Sequence, residues 1–443
     1  MYHRDFAAKF IPDIKDAVQS AILNAPEASI RNVRKEKIEG IVSRLNDLLK
    51  RVYTYEQREL EIEHLNLDIV LTCLKSNILE RRIQGIKSLA ETLKNLKYSK
   101  TNEQAFATYM LEWLEKHKII EMIFDPKNYH VQIIQRSKEI LKILIVEDKL
   151  SKEQLDLFWR ATEFDDETRR EIYNIIEETS TPMQSHHVMQ FLNKFLESSD
   201  AIITPEAISC ISEMGKYSRG SPEQSKSIAD LLWRFSTGQT KYLEISSIAI
   251  TKFCELMKKF KYSEAKPYFI NCLDNLRNGV ASINTIRILR SLFREVEYVL
   301  THFDTRRQAD SDDERRTKEA QDEIEQKTTE DENIICTSAC IRHYIDNEGL
   351  VDVLLDNLVK YSKITQSRLG EVKEKQKAHE FVFEGGYDHK TNITERLEFI
   401  KFLASHSSYT ISRKEVDVIW SLLIDESQID FDEEAVFKWL RES

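Results

Sequence analysis

Ser151-Lys152-Glu153-Gln154-Leu155-Asp156-Leu157-Phe158-Trp159 opens on a serine with a glutamine three residues on and closes on an apolar run that ends in tryptophan. The serine hydroxyl can accept the Gln154 amide while the Gln154 side chain reaches back to the serine amide, a reciprocal cap that marks a helix start. Apolar side chains then fall at helical spacing. The same sequence logic recurs outward in both directions. Ser412 with Glu415 repeats the capping pattern, and Thr181-Pro182 with Gln184, Thr204-Pro205-Glu206 and Ser221-Pro222 with Gln224 each pair a capping hydroxyl with a proline where no amide donor is needed. Between these marks the apolar residues keep a helical period, as in Ile78, Ile83, Ile86, Leu89, Leu93 and Leu96, or Ile133, Ile134, Ile140, Leu141, Leu144 and Ile145.

Such a string of short helices buries its apolar faces most economically when helix pairs stack on their neighbours. The pattern apolar, Asp, apolar, apolar, Trp supports stacking, because it returns in Ala229-Asp230-Leu231-Leu232-Trp233 and Val416-Asp417-Val418-Ile419-Trp420. The three tryptophans lie 74 and 187 residues apart, close to two and five units of about 37, the length of armadillo and HEAT repeats. The expected fold is all-α: an armadillo- or HEAT-like α-solenoid of stacked helix pairs. Trp159, Trp233 and Trp420 are expected in its core.

Composition agrees and excludes alternatives. The 443 residues include 10 Gly and 7 Pro, far too few for the turns and phosphate loops of barrels, sandwiches or dinucleotide-binding sheets. A formal net charge of −11 with 31% charged residues argues against a surface built to neutralise nucleic-acid phosphates. Local basic clusters such as Lys258, Lys259, Lys261 and Lys266 lack interleaved aromatic platforms and read as solvated helix faces. No apolar stretch approaches the length of a membrane span, and the Met1 to Phe6 start carries an acid where a secretory leader needs apolar residues. The six cysteines are too sparse for a disulfide framework. A cytoplasmic protein, also at home in the nucleus, is expected, in which the Asn392-Ile393-Thr394 sequon has no glycosylation role.

One stretch departs from the pattern. From Asp304 to Asn333, 18 of 30 residues are charged, 12 acidic and 6 basic, and the apolar side chains are Ala309, Ala320 and Ile324. So little apolar surface cannot offset chain entropy. The expected organisation is a solenoid over residues 1–303, an acidic disordered linker over 304–333, and a helical part over 334–443 that continues the solenoid. A second loop, Phe381 to Thr391, carries Gly385-Gly386 without phosphate-loop spacing, and reads as a turn.

Candidate chemistry is sparse. Cys336, Cys340 and His343 share one helix face but lack a fourth ligand and zinc-knuckle spacing, so apolar packing is the preferred reading. His186 and His187 are adjacent on a helix, where side chains diverge by about 100°; surface positions are expected and shared chelation is not. A nucleophilic cysteine needs a base and an oxyanion hole. Cys73, Cys210 and Cys254 instead sit in apolar helical contexts and are expected in the core. No catalytic, cofactor-binding or metal-ligating residue is assigned, and no cofactor is expected.

Several segments resemble the helical repeat region of the giant fat-facets-type ubiquitin-specific proteases. They are Asn66-Leu67-Asp68-Ile69-Val70 with Leu79-Glu80-Arg81-Arg82-Ile83-Gln84-Gly85, then Leu150 to Trp159, and most closely Glu395-Arg396-Leu397-Glu398-Phe399-Ile400-Lys401-Phe402-Leu403, Val418-Ile419-Trp420 and Asp432 to Trp439. The resemblance runs from about Asn66 to Trp439 and rests on packing motifs. The family's catalytic boxes do not carry over. The Thr72-Cys73 pair follows Leu71 rather than a Gly-Asn, and His343-Tyr344 follows Arg342 in a helical context. The resemblance therefore implies a non-catalytic protein-interaction arm of a deubiquitinase, with ubiquitin-pathway proteins as partners. The chain is expected to stop where the family would continue towards its catalytic half. A fragment of an active cysteine deubiquitinase and a generic helical adaptor are the alternatives.

Overall fold

The computed structural model describes residues 2–24, 35–96, 103–199, 202–216, 222–238, 243–295 and 338–442. The charged stretch 304–333 and Cys336 lie outside the described residues. Among the described residues the elements are helices, joined by short turns and 3₁₀ segments, with one isolated antiparallel bridge between Glu384 and Tyr387. Gly385 and Gly386 close that bridge at φ of 70° and 77°, the left-handed backbone that a two-residue turn of this hand requires, so the pair is the turn read from the sequence.

The chain divides into two compact units, Met1–Lys194 and Phe195–Ser443. The first begins with α1 (Tyr2–Leu23), α2 (Lys35–Leu49), α3 (Tyr55–Leu74) and α4 (Leu79–Leu96), followed by α5 (Glu103–Lys116), α6 (Ile119–Ile123), α7 (Val131–Arg136), α8 (Lys138–Val146), α9 (Lys152–Arg160), α10 (Asp166–Thr179) and α11 (Ser185–Glu197). Ile11, Leu45, Leu49 and Leu65 form a core joining α1, α2 and α3. Helices α3 and α4 meet at Gly85, where an added Cβ would sit 2.9 Å from Cys73 Cβ and 3.2 Å from the Val70 oxygen. Only glycine allows that approach, which gives the Leu79 to Gly85 motif its physical content. Helix α4 then packs on α7 and α8, and α10 packs on the same two helices. An aromatic chain of Phe124, Phe158 and Phe191, with Trp159 against Tyr173 and Phe191, fills the later part of the unit.

The second unit contains α12 (Pro205–Lys216), α13 (Pro222–Thr237), α14 (Leu243–Met257), α15 (Tyr262–Asn278), α16 (Ser282–Glu295), α17 (residues 338–348), α18 (Leu350–Arg368), α19 (His389–Ser405), α20 (Arg413–Trp420) and α21 (Asp430–Glu442). Helices pack on partners one to three elements along the chain: α14 on α12, α13 and α16, α15 on α16 and α18, α16 on α19, and α19 on α21. This is the stacked-helix arrangement expected from the sequence.

Local signals set most boundaries. Ser151 and Ser412 form the reciprocal caps, with Gln154 and Glu415 as partners, and Pro205 and Pro222 each occupy the first position of a helix. Thr181-Pro182 does not start one. These residues form a turn after α10, and α11 begins at Ser185. The Phe381 to Thr391 loop also ends earlier than expected, because the Asp388 carboxylate accepts the Thr391 amide and caps α19 at His389.

The core assignments need correction at several points. Trp159 is 6% exposed, but Trp420 is 36% exposed and meets Phe437 edge-on, and Trp233 is half-buried against Phe253 and Tyr268. The repeated five-residue pattern fixes the helix, while depth depends on what packs over it. Cys210 and Cys254 are buried as expected, whereas Cys73 is half-buried on a groove wall.

Candidate interaction surface and polar clusters

A groove of about 770 Å³ opens between α2, α3 and α4. Ile38, Val42, Ile62 and Ile69 give it an apolar wall, and Val42, Ile62 and Ile69 are half-buried there because they also pack against the core of Ile11, Leu45, Leu49 and Leu65. Glu39, Glu63, Glu80 and Glu91 line it with acid, against Arg81 as the described basic residue of the lining. Burial raises the Glu63 carboxyl above its ordinary range, with Glu59 adding to the rise. The thiol of Cys73 on the groove is also raised by burial, Arg81 opposing weakly. In the second unit burial pushes Cys272 well up, with Cys254 reinforcing it. A nucleophile needs the reverse, a thiol held low by a base or cation, so neither cysteine is poised for attack. Tyr344, which follows His343, lies buried and stacked on Phe269 with ring centroids 5.1 Å apart, while His343 is exposed with its Nδ1 2.8 Å from Asn347 Nδ2.

A second cluster surrounds a cavity of about 280 Å³ between α18, α19 and the start of α21. His389 Nε2 lies 2.7 Å from Asp432 Oδ1 and His389 Nδ1 lies 3.0 Å from the Tyr361 hydroxyl, all three residues being buried. Ser427 Oγ donates to the other oxygen of Asp432 at 2.6 Å. The order of groups matters chemically. The serine bonds the aspartate rather than the histidine, and the remaining ring nitrogen faces a tyrosine whose hydroxyl burial drives far above its usual value. The cluster therefore lacks the nucleophile-to-base contact of covalent catalysis and acts as a polar staple between helices. Beside it, Arg396 is 2% exposed. Its guanidinium donates to Asn357 Oδ1 at 3.0 Å and to the Asn392 carbonyl and side chain at 2.9 Å, and it lies 4.6 Å from the Tyr361 ring centre. Desolvation lowers it to about 10.

A third cluster joins Asp148, His186 and His187 in the first unit. Contrary to the expected surface position, His187 is fully buried, and the two imidazoles are 4.0 Å apart. Side-chain torsions bring them together because both lie in the first turn of α11, with no preceding helical turn to restrict them. His187 is held below its ordinary basicity by desolvation first and by His186 second, with Asp148 and the Leu150 backbone opposing. Cys340 is buried in α17, as the apolar-packing reading expects, while Cys336 lies outside the described residues.

The sequence read the helices on which these clusters stand but not the clusters themselves, since Arg396, His389, Asp432 and His187 are residue types usually found at the surface.

Comparison with known proteins agrees with this architecture. The family described as the UBP24/USP9X/USP9Y ARM repeat matches residues 60–443, and the chain belongs to that family of armadillo-type helical repeats. Among its curated relatives, human ubiquitin carboxyl-terminal hydrolase 9Y is 18% identical over 418 residues, covering 90% of this chain and 15% of the relative. The Drosophila melanogaster probable ubiquitin carboxyl-terminal hydrolase FAF is 18% identical over 428 residues, covering 92% and 14% respectively. Human ubiquitin carboxyl-terminal hydrolase 24 is 22% identical over 224 residues, covering 49% of this chain and 8% of the relative. The chain thus spans about one-seventh of the length of the first two. Among the described residues no helix is long and apolar enough to cross a membrane.

Proposed function

We propose that the chain is a non-catalytic interaction scaffold of the ubiquitin pathway, which holds protein partners in the cytoplasm or nucleus. The acidic, apolar-walled groove on α2, α3 and α4 carries this reading. Its charge complements a partner segment that presents aliphatic residues flanked by lysine or arginine, and desolvating such a pair in a groove gives specificity and steering more than raw affinity. A fluorescent helical peptide with leucines at i, i+4 and i+7 and flanking lysines is the direct probe. The exposed pair Glu39→Lys with Glu80→Lys should weaken its binding at least about tenfold, and the wild-type affinity should fall with added salt. Equal binding by the variant would remove the groove from consideration.

A second reading, that the chain is the armadillo part of an active deubiquitinase, is favoured by the small fraction of each hydrolase relative that it spans. A Gly-Asn-Thr-Cys box in the adjoining coding sequence would establish it. Under either reading the 443 residues alone should neither cleave a ubiquitin conjugate nor react with a ubiquitin-based electrophile, because burial raises the Cys73 and Cys272 thiols. Labelling of the purified chain, detected by mass shift and lost in Cys73→Ser, would overturn the non-catalytic assignment.

A further inference from the structure

We propose that Asp148, His186 and His187 form a zinc site with three protein ligands and water completing the coordination. The inference is independent of the scaffold reading and rests on a juxtaposition that the sequence order conceals. Asp148 follows the end of α8, where the residue after the C-cap turns at φ 53°. Glycine is the usual choice there. An aspartate in its place sets a carboxylate against the first turn of α11. Asp148 Oδ1 lies 2.9 Å from His186 Nε2 and 3.7 Å from His187 Nε2, and one potential ligand atom from each residue falls within 4.8 Å of the other two. A tetrahedral zinc ion about 2.0–2.1 Å from nitrogen and oxygen ligands separates those ligands by roughly 3.3 Å. The two Asp148 distances bracket that value, and the histidine pair lies within 4.8 Å, so side-chain rotation is what closes the site around an ion.

Burial supplies the second, independent observation. The His187 side chain is 1% exposed, and its ring nitrogens fall short of good hydrogen-bond geometry, with the Leu150 backbone and the Asp148 carboxylate as the polar groups that act on them. A buried imidazole left in that state forfeits the interactions its two nitrogens would make in water. An ion at Nε2 would satisfy one of them, and the Leu150 backbone beside the ring is placed to orient it as the outer acceptor that zinc-bound histidines ordinarily have. The other two ligands face solvent, each side chain being 49% exposed. Water can therefore reach the open positions. An imidazole pair with one carboxylate suits zinc and its neighbours in the late first row, rather than calcium or magnesium, which take oxygen ligands.

Two facts oppose the ion, and neither prevails. The first turn of a helix is the positive end of its dipole, which disfavours a cation by about 0.3–1 kcal/mol at the surface, but the Asp148 carboxylate is in direct reach. The 2.9 Å contact also has a plainer reading, as an ion pair between Asp148 and His186. That reading leaves His187 unexplained.

The test uses the full chain, stripped of metal and titrated with zinc sulfate in competition with a chromophoric chelator. The wild type should bind one equivalent through this site and melt at a higher temperature with zinc. Asp148→Asn and His186→Ala alter exposed side chains and should retain the helical circular-dichroism spectrum, yet each should weaken that equivalent at least about 100-fold, since even outer-sphere changes cost about 10–100-fold. Cobalt substituted at the site should show d–d bands without thiolate charge transfer, which separates it from binding at the cysteines. Failure of the wild type to bind one ion, unchanged affinity in both variants, or a cobalt spectrum dominated by thiolate charge transfer and insensitive to the two substitutions would each overturn the proposal.

Discussion

Arg396→Ala should lower the free energy of unfolding by about 3–5 kcal/mol, measured by urea denaturation of the full chain. The estimate joins the void left by a large buried side chain with the loss of partners for Asn357 and Asn392. Both are committed: the Asn357 side-chain amide donates to the Leu276 carbonyl at 2.8 Å and to Ser282 Oγ at 3.0 Å, while its oxygen accepts from Arg396. Removing the guanidinium therefore loosens the contact that Asn357 makes from α18 to α15 and α16. Arg396→Lys should recover only part of the loss, because an ammonium cannot reproduce the planar fork or its stacking over Tyr361. A change under about 1 kcal/mol in the alanine variant would show that the arginine is a tolerated guest rather than a structural centre.

Trp159→Ala should cost a similar 3–5 kcal/mol, as expected of a buried tryptophan, whereas Trp420→Ala should cost only about 0.5–1.5 kcal/mol, the scale of an aromatic edge contact with some area burial. The pair is informative because the two residues end the same five-residue pattern. Thermal melts of both variants, monitored by far-ultraviolet circular dichroism, provide the comparison. Equal losses would mean that the exposure of Trp420 does not describe its packing in solution.

These two residues also show what the sequence made legible. A capping box is written within four residues, so the starts of α9 and α20 could be read directly from Ser151 and Ser412. A helical period needs only one neighbouring turn, so the all-helical stacking was equally accessible. Depth is different. Trp159 is enclosed because Tyr173 and Phe191 arrive from α10 and α11, whereas Trp420 meets Phe437 on a helix that leaves both rings at the surface. No local pattern encodes which later helix will arrive.

The polar clusters were less legible still. His389 and Asp432 are separated by 43 positions and Arg396 from Asn357 by 39, and their chemistry resembles that of any solvated helix face until the fold brings them together. His187 was misplaced for a related reason. The divergence of adjacent helical side chains describes their Cβ directions, and at a helix start the remaining torsions can reverse its consequence.

Glu395 accepts from Arg287 at 2.8 Å and Arg290 at 2.5 Å, the Tyr387 hydroxyl donates to Asn284 at 2.5 Å, and Arg287 covers the Tyr387 ring at 4.8 Å. These contacts tie α16, which ends at Glu295, to α19 and the turn before it. The register of the stack is thus held by the flanking helices themselves, whatever the length of chain between Glu295 and residue 338. Closing a longer connection costs only about 0.6 kcal/mol for each doubling. The pairing of α16 with α19 is consequently self-locking, since both halves of every clasp sit on the two helices and on the turn that leads into α19.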